Sequence, residues 1–80
     1  VSVDQNEITD SMNNGVYGYS NGYLSVTANT IDNSGYYDYG YGDGVHVDYG
    51  YDNRIAGNTI TNSSNDGIES YGSNRMLIEN

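Results

Sequence analysis

The sequence predicts an all-β parallel solenoid, a single segment over residues 1–80, and three observations predict it. First, a nine-residue block recurs without gaps: Val3-Asp-Gln-Asn6-Glu-Ile8-Thr-Asp10-Ser11, Val26-Thr-Ala-Asn29-Thr-Ile31-Asp-Asn33-Ser34 and Ile55-Ala-Gly-Asn58-Thr-Ile60-Thr-Asn62-Ser63, with Leu77-Ile-Glu-Asn80 opening a fourth copy. Second, a shorter block recurs between them: Asn14-Gly15-Val16, Asp43-Gly44-Val45 and Asp66-Gly67-Ile68. Third, apolar residues alternate with polar ones over a few positions and are then interrupted by Gly, Asn, Asp or Ser. No 3.6-residue period lasts long enough for a helix.

The elements follow in order. Coil one, roughly residues 1–23, centres its short strands on Val3, Ile8 and Val16. Coil two, roughly 24–53, repeats them at Val26, Ile31 and Val45, coil three, roughly 54–74, at Ile55, Ile60 and Ile68, and a fourth starts at 75–80. A repeat of about 22 residues is too short for a βαβ unit but holds three strands and three turns, so equivalent side chains stack at the strand spacing of roughly 4.8 Å. The aligned asparagines Asn6, Asn29, Asn58 and Asn80 are 23, 29 and 22 residues apart, so the middle coil is long by about six. Asparagine to glycine takes nine residues in the first and third coils but fifteen in the second, which places the extra six at Tyr36–Tyr41, YYDYGY.

Composition narrows the partners. Only 35% of the 80 residues are hydrophobic and ten of those are tyrosines, so eighteen Val, Ile, Leu, Met and Ala must supply the aliphatic core. There is no cysteine to staple it. A net charge of −9, from eleven acids against two arginines, is unsuited to nucleic acid or an anionic membrane surface. No apolar run nears the roughly 18 residues of a membrane-spanning helix.

The pattern N-x-I-x-[ND]-S followed by [ND]-G-[VI] resembles the parallel β-helix repeat of right-handed, pectate-lyase-like proteins across the whole chain. The resemblance implies a right-handed parallel β-helix of about three and a half coils, with Asn6, Asn29, Asn58 and Asn80 as a buried ladder. An amide suits a ladder because it both donates and accepts. The fold by itself does not fix a function.

Alternation after each [ND]-G pair sends Val16, Val45 and Ile68 inward, with Gly18, Val47 and Ser70. Tyr17, His46 and Glu69 then face outward at one level and Tyr19, Asp48 and Tyr71 at the next. Such a patch has the residue types that acidic-sugar chemistry uses, a base at the C5 proton and an acid at the leaving oxygen. On that reading His46, Asp48 and Tyr19 are the catalytic candidates, and Tyr17, Glu69 and Tyr71 bind substrate. The face is also similar to the outward sheet of mannuronan C5-epimerases and alginate lyases, although a chain without proline lacks their Asp-Pro-His-Glu motif. Polar and aromatic residues also decorate solvated sheets that do nothing, and aromatic platforms bind sugars without reacting.

No cofactor is required; calcium is the one the loops offer oxygen ligands for, from Asp38 and Asp43 in a run that also holds Asp48 and Asp52. Asp43 has a structural account as well, since it aligns with Asn14 and Asp66 in the turn before glycine. The expectation is a secreted β-helix segment that binds acidic polysaccharide, with cleavage or epimerisation as the chemistry of the patch. The alternative is a fibre or adhesin element assembled by end-to-end stacking, because neither end of the repeat reads as a polar cap.

Overall fold

The computed structural model describes residues 1–36 and 42–80, and its described residues contain ten short strands and no helix. They form three parallel sheets. The first holds β1 (Ser2–Asp4), β4 (Ser25–Thr27), β7 (Arg54–Ala56) and β10 (Leu77–Glu79); the second holds β2 (Glu7–Thr9), β5 (Thr30–Asp32) and β8 (Thr59–Thr61). The third holds β3 (Val16–Tyr19), β6 (Val45–Asp48) and β9 (Ile68–Tyr71). Strands pair with their equivalents one coil away, Val3 on Val26 on Ile55 on Ile78, and Ile8 on Ile31 on Ile60. The fold is the parallel β-helix expected from the repeat, about three coils long.

Corners between strands are built by residues in the left-handed backbone region, and these corners stack too. Gln5, Ala28 and Gly57 form one file; Asp10, Asn33 and Asn62 a second; Ser20, Tyr49 and Gly72 a third; Tyr23, Asp52 and Arg75 a fourth, all with φ between 52° and 67°. Only glycine takes this conformation without steric cost, so most of these turns rely on neighbouring coils to hold them. Gly15 and Gly44 serve a different need. A Cβ on Gly15 would lie 2.5 Å from Cγ2 of Ile31 and 2.6 Å from the Gly44 carbonyl, so the [ND]-G pair lets the chain close tightly over the isoleucine ladder.

The core runs along the helix axis. Val26, Ile31, Val45, Val47 and Ile55 are fully enclosed, while Val3 and Ile8 in the first coil, Ile60 and Ile68 in the third and Met76 at the start of the fourth are half-buried against them. Burial is deepest in the strands that have a neighbour on both sides, β4 and β7 in the first sheet, β5 in the second and β6 in the third. Each enclosed side chain contributes about 1.5–3 kcal/mol. Ser70 shares the inward register of Gly18 and Val47 but is exposed, since β9 is an edge strand of its sheet.

Asparagine satisfies the buried turns. The amide N–H groups of Asn6, Asn29 and Asn58 donate to the side-chain oxygens of Asn29, Asn58 and Asn80 at 2.9, 2.9 and 3.0 Å. The side-chain nitrogens of Asn29 and Asn58 donate onward to the Val3 and Val26 carbonyls, each at 2.9 Å. The expected ladder is therefore hydrogen-bonded at all four positions, but buried only at Asn29 and Asn58, with Asn6 and Asn80 exposed at its ends. A further buried asparagine, Asn53, accepts from the Leu24 amide at 2.8 Å; it belongs to no sequence repeat, because Leu24 occupies the matching place in the coil below.

The long coil is also located. Gly35 and Tyr36 both donate backbone N–H to the Ser11 carbonyl, and Gly42 accepts from the Asn65 amide at 2.9 Å. A Cβ on Gly42 would collide with the Gly35 backbone. Residues 35 and 42 thus meet in the stack, with 36–41 between them as the extra six. Asp38, one of the two expected calcium ligands, lies outside the described residues.

Candidate functional site

Strands β3, β6 and β9 bring the outward residues together as the register requires. Tyr17, His46 and Glu69 are aligned across the sheet, and Tyr19, Asp48 and Tyr71 form the next row. Two turn residues join them: Asp43 on the corner preceding β6, and Tyr49 on the corner following it.

His46 is the centre of an acidic cluster. Its Nδ1 lies 2.6 Å from Oδ2 of Asp43 and 3.3 Å from Oε2 of Glu69, while its Nε2 lies 2.9 Å from Oδ1 of Asp48. The expected His46–Asp48 pair is present. Asp43 adds what the repeat alignment could not reveal. Its side chain is 1% exposed, and Oδ1 is pinned by the Asp66 amide at 2.9 Å and the Asn65 side chain at 3.0 Å. Oδ2 is left facing the histidine.

The protonation of the cluster follows from these contacts. Burial works against a charged imidazole and is the largest single influence, but hydrogen bonds to Asp43 and Asp48 and the Coulomb attraction of Asp48 and Glu69 together outweigh it. His46 therefore titrates above its ordinary 6.5. Burial likewise opposes ionised Asp43, yet the Asp66 amide, Glu69, His46 and Asn65 all hydrogen-bond to it and hold its carboxyl below 3.8. Glu69 is pushed above 4.5, first by its hydrogen bond to Asp43, then by desolvation and the negative charge of Asp43, with His46 pulling the other way.

Two chemical consequences follow. With both nitrogens turned to carboxylates, His46 is placed to donate protons and not to serve as a ready base. Three acids, Asp43, Asp48 and Glu69, lie against His46, so the patch is negative and would need a bridging cation to accept an anionic sugar. Single ligand atoms of Asp43, His46 and Glu69 lie within 4.8 Å of one another and are the described residues that would hold a metal. A set that includes an imidazole nitrogen is less suited to calcium than an all-oxygen loop.

The aromatic residues form a second half of the site. Tyr17 leans on His46, ring centroids 5.4 Å apart. Tyr19 is turned away from the histidine and packs edge-on against Tyr49 at 5.7 Å; Tyr49 packs edge-on against Tyr71 at 5.5 Å. These three rings are 60%, 50% and 63% exposed. Tyr23 and Tyr51 make a similar pair one corner further on, at 5.8 Å. Glycines make room for the rings: a Cβ on Gly72 would lie 2.7 Å from Cδ1 of Tyr49, and one on Gly22 would strike the Tyr51 ring. Tyr49 lies beyond the strand alternation that predicts the two outward rows. Its signal was its place one residue beyond β6, where the left-handed corner returns its side chain to the outward face. Among the described residues this face has no enclosed pocket, and the tyrosines form an open platform.

Comparison with curated proteins and with solved structures gives no match. A family model described as a right handed beta helix region matches residues 1–80, and with the stacked parallel sheets and the asparagine ladder this places the chain in the right-handed β-helix family.

Proposed function

We propose that this chain is a segment of a secreted β-helix protein that holds polysaccharide on the outward face formed by β3, β6 and β9. The observation that carries the reading is the exposed file Tyr19–Tyr49–Tyr71 beside the hydrogen-bonding groups of Asp48, Glu69 and His46. Sugar rings present apolar C–H faces to aromatic rings and hydroxyls to carboxylates, and an open platform suits an extended chain better than a small molecule. Binding is favoured over turnover because both nitrogens of His46 are engaged and Tyr19 packs on Tyr49 instead of reaching the histidine. For an acidic polysaccharide, the negative cluster argues that a divalent cation, calcium included, bridges the sugar to Asp43 and Glu69.

The test is retention of the protein on immobilised neutral and uronate polysaccharides, with and without calcium, for the unaltered chain and for Tyr19→Ala with Tyr71→Ala. Retention that the double substitution abolishes supports the platform. Retention unaffected by it, or none on any polymer, removes it. Accumulation of unsaturated or epimerised uronate that His46→Gln stops would restore the catalytic reading of His46, Asp48 and Tyr19. Filaments formed by a chain that retains no glycan would favour the fibre alternative, which draws on the same in-register ladders.

A further inference from the structure

We propose that the tyrosine file Tyr19–Tyr49–Tyr71 is a site of oxidative dityrosine cross-linking, a covalent staple between coils in a chain that has no cysteine. Three features point to it. The rings touch in sequence, at 5.7 and 5.5 Å between centroids and with interplanar angles of 76° and 89°, so the edge of one ring meets the face of the next. All three lie at the surface, within reach of an external oxidant. They also belong to three different coils: Tyr19 follows the first [ND]-G corner, Tyr49 the second and Tyr71 the third. Tyr49 is held centrally by its left-handed backbone, φ 54°, and by the bare surface of Gly72, which keeps its ring close to both neighbours before any reaction.

The chemistry balances as follows. Each of two phenols loses one electron and its hydroxyl proton to give a phenoxyl radical. The two radicals join through carbons ortho to oxygen, and the hydrogens on those carbons move to the oxygens as the rings regain aromaticity. The pair has then lost two electrons and two protons. Hydrogen peroxide, acting through a haem peroxidase, accepts both and leaves as two waters. Prior ring contact makes coupling within the chain faster than encounter between chains, which is the advantage of proximity.

The experiment treats dilute protein with hydrogen peroxide and a haem peroxidase, then maps linked peptides by mass spectrometry and follows dityrosine fluorescence. The expected product is monomeric, two hydrogens lighter per link, with Tyr49 joined to Tyr19 or Tyr71 and a raised thermal midpoint. Tyr49→Phe keeps the ring contacts but removes the phenol; it should abolish links in this file and leave any Tyr23–Tyr51 link in place. Links that are mainly between chains, or no link to Tyr49 in the unaltered protein, would overturn the proposal. Coupling is measured with no polysaccharide present, so a Tyr49 link in a chain that no glycan retains upholds this inference while the platform reading fails, and retention of glycan without a Tyr49 link does the reverse.

Discussion

Two files of turn residues run the length of this β-helix, and they satisfy the same need in different ways. In the file Asn6–Asn29–Asn58–Asn80 the two inner side chains, Asn29 and Asn58, each accept from one neighbour and donate to another, so every coil is joined to the next. In the file Asn14–Asp43–Asp66 the Asp43 amide donates to the Asn14 oxygen at 2.9 Å, and the Asp66 amide donates to Asp43. A carboxylate has nothing to donate, so the second oxygen of Asp43 is left over and must find a donor outside the ladder. It finds His46. One file ends its business inside the coil; the other exports a buried negative charge to the surface, and the candidate site forms where it emerges.

The largest expected effect comes from exchanging the two chemistries. Asn29→Asp removes the amide that donates to Val3 and sets an acceptor against the Asn58 oxygen, so it should destabilise by about 3 kcal/mol, with Asn29→Ala costing about 2. A denaturant melt showing either to be neutral would break the comparison. The reverse exchange, Asp43→Asn, should cost only about 1 kcal/mol, because the side-chain oxygen still receives the Asp66 and Asn65 donors.

Its sharper consequence is in pH dependence. His46 has its pKa raised in the fold, so its contribution is complete below 6.5 and is lost as pH rises through the folded value. Asp43, held below 3.8, contributes above that value and loses its contribution as pH falls through its folded pKa. Stability should therefore decline on both sides of a plateau, and Asp43→Asn or His46→Gln should flatten the alkaline decline, measured as thermal midpoint against pH. An alkaline limb unchanged in both variants would show that Asp43 does not hold the histidine.

Smaller still is the effect of the outward aromatics. Tyr49→Ala should cost about 1 kcal/mol or less, the scale of an exposed edge-on pair, and less than any loss from the asparagine ladder. If the tyrosine costs more than Asn29→Ala, the ladder is not what joins the coils. Last, Ala28→Gly should stabilise by about 0.5 kcal/mol, since Ala28 has φ 55° where the next coil carries Gly57. A melt showing a loss would mean that backbone freedom in the unfolded chain outweighs the relieved corner.

Much of this is legible in the sequence. Asparagine spacing gave the coil length, the six extra residues and the register, because stacking places equal positions above one another and a one-residue slip would turn every side chain over. That register predicted both outward rows and the His46–Asp48 pair. It could not predict that Asp43, a turn residue by alignment, would reach His46, since alignment reports backbone place and not where the second carboxylate oxygen points. Nor could it place Tyr49 against Tyr19 and Tyr71, because the alternation of a strand stops at its last residue and a left-handed corner follows.

By itself, then, the order of the residues determined the architecture: period, coil number, ladder positions and the face on which each strand residue lies. These follow from repetition, and repetition is written in one dimension. Only the tertiary structure decided what happens at the corners, where the chain turns through positive φ and side chains from adjacent coils converge. There the charge of Asp43 meets His46 and the ring of Tyr49 comes between its neighbours, and those meetings depend on side-chain direction across coils, which no spacing along the chain encodes.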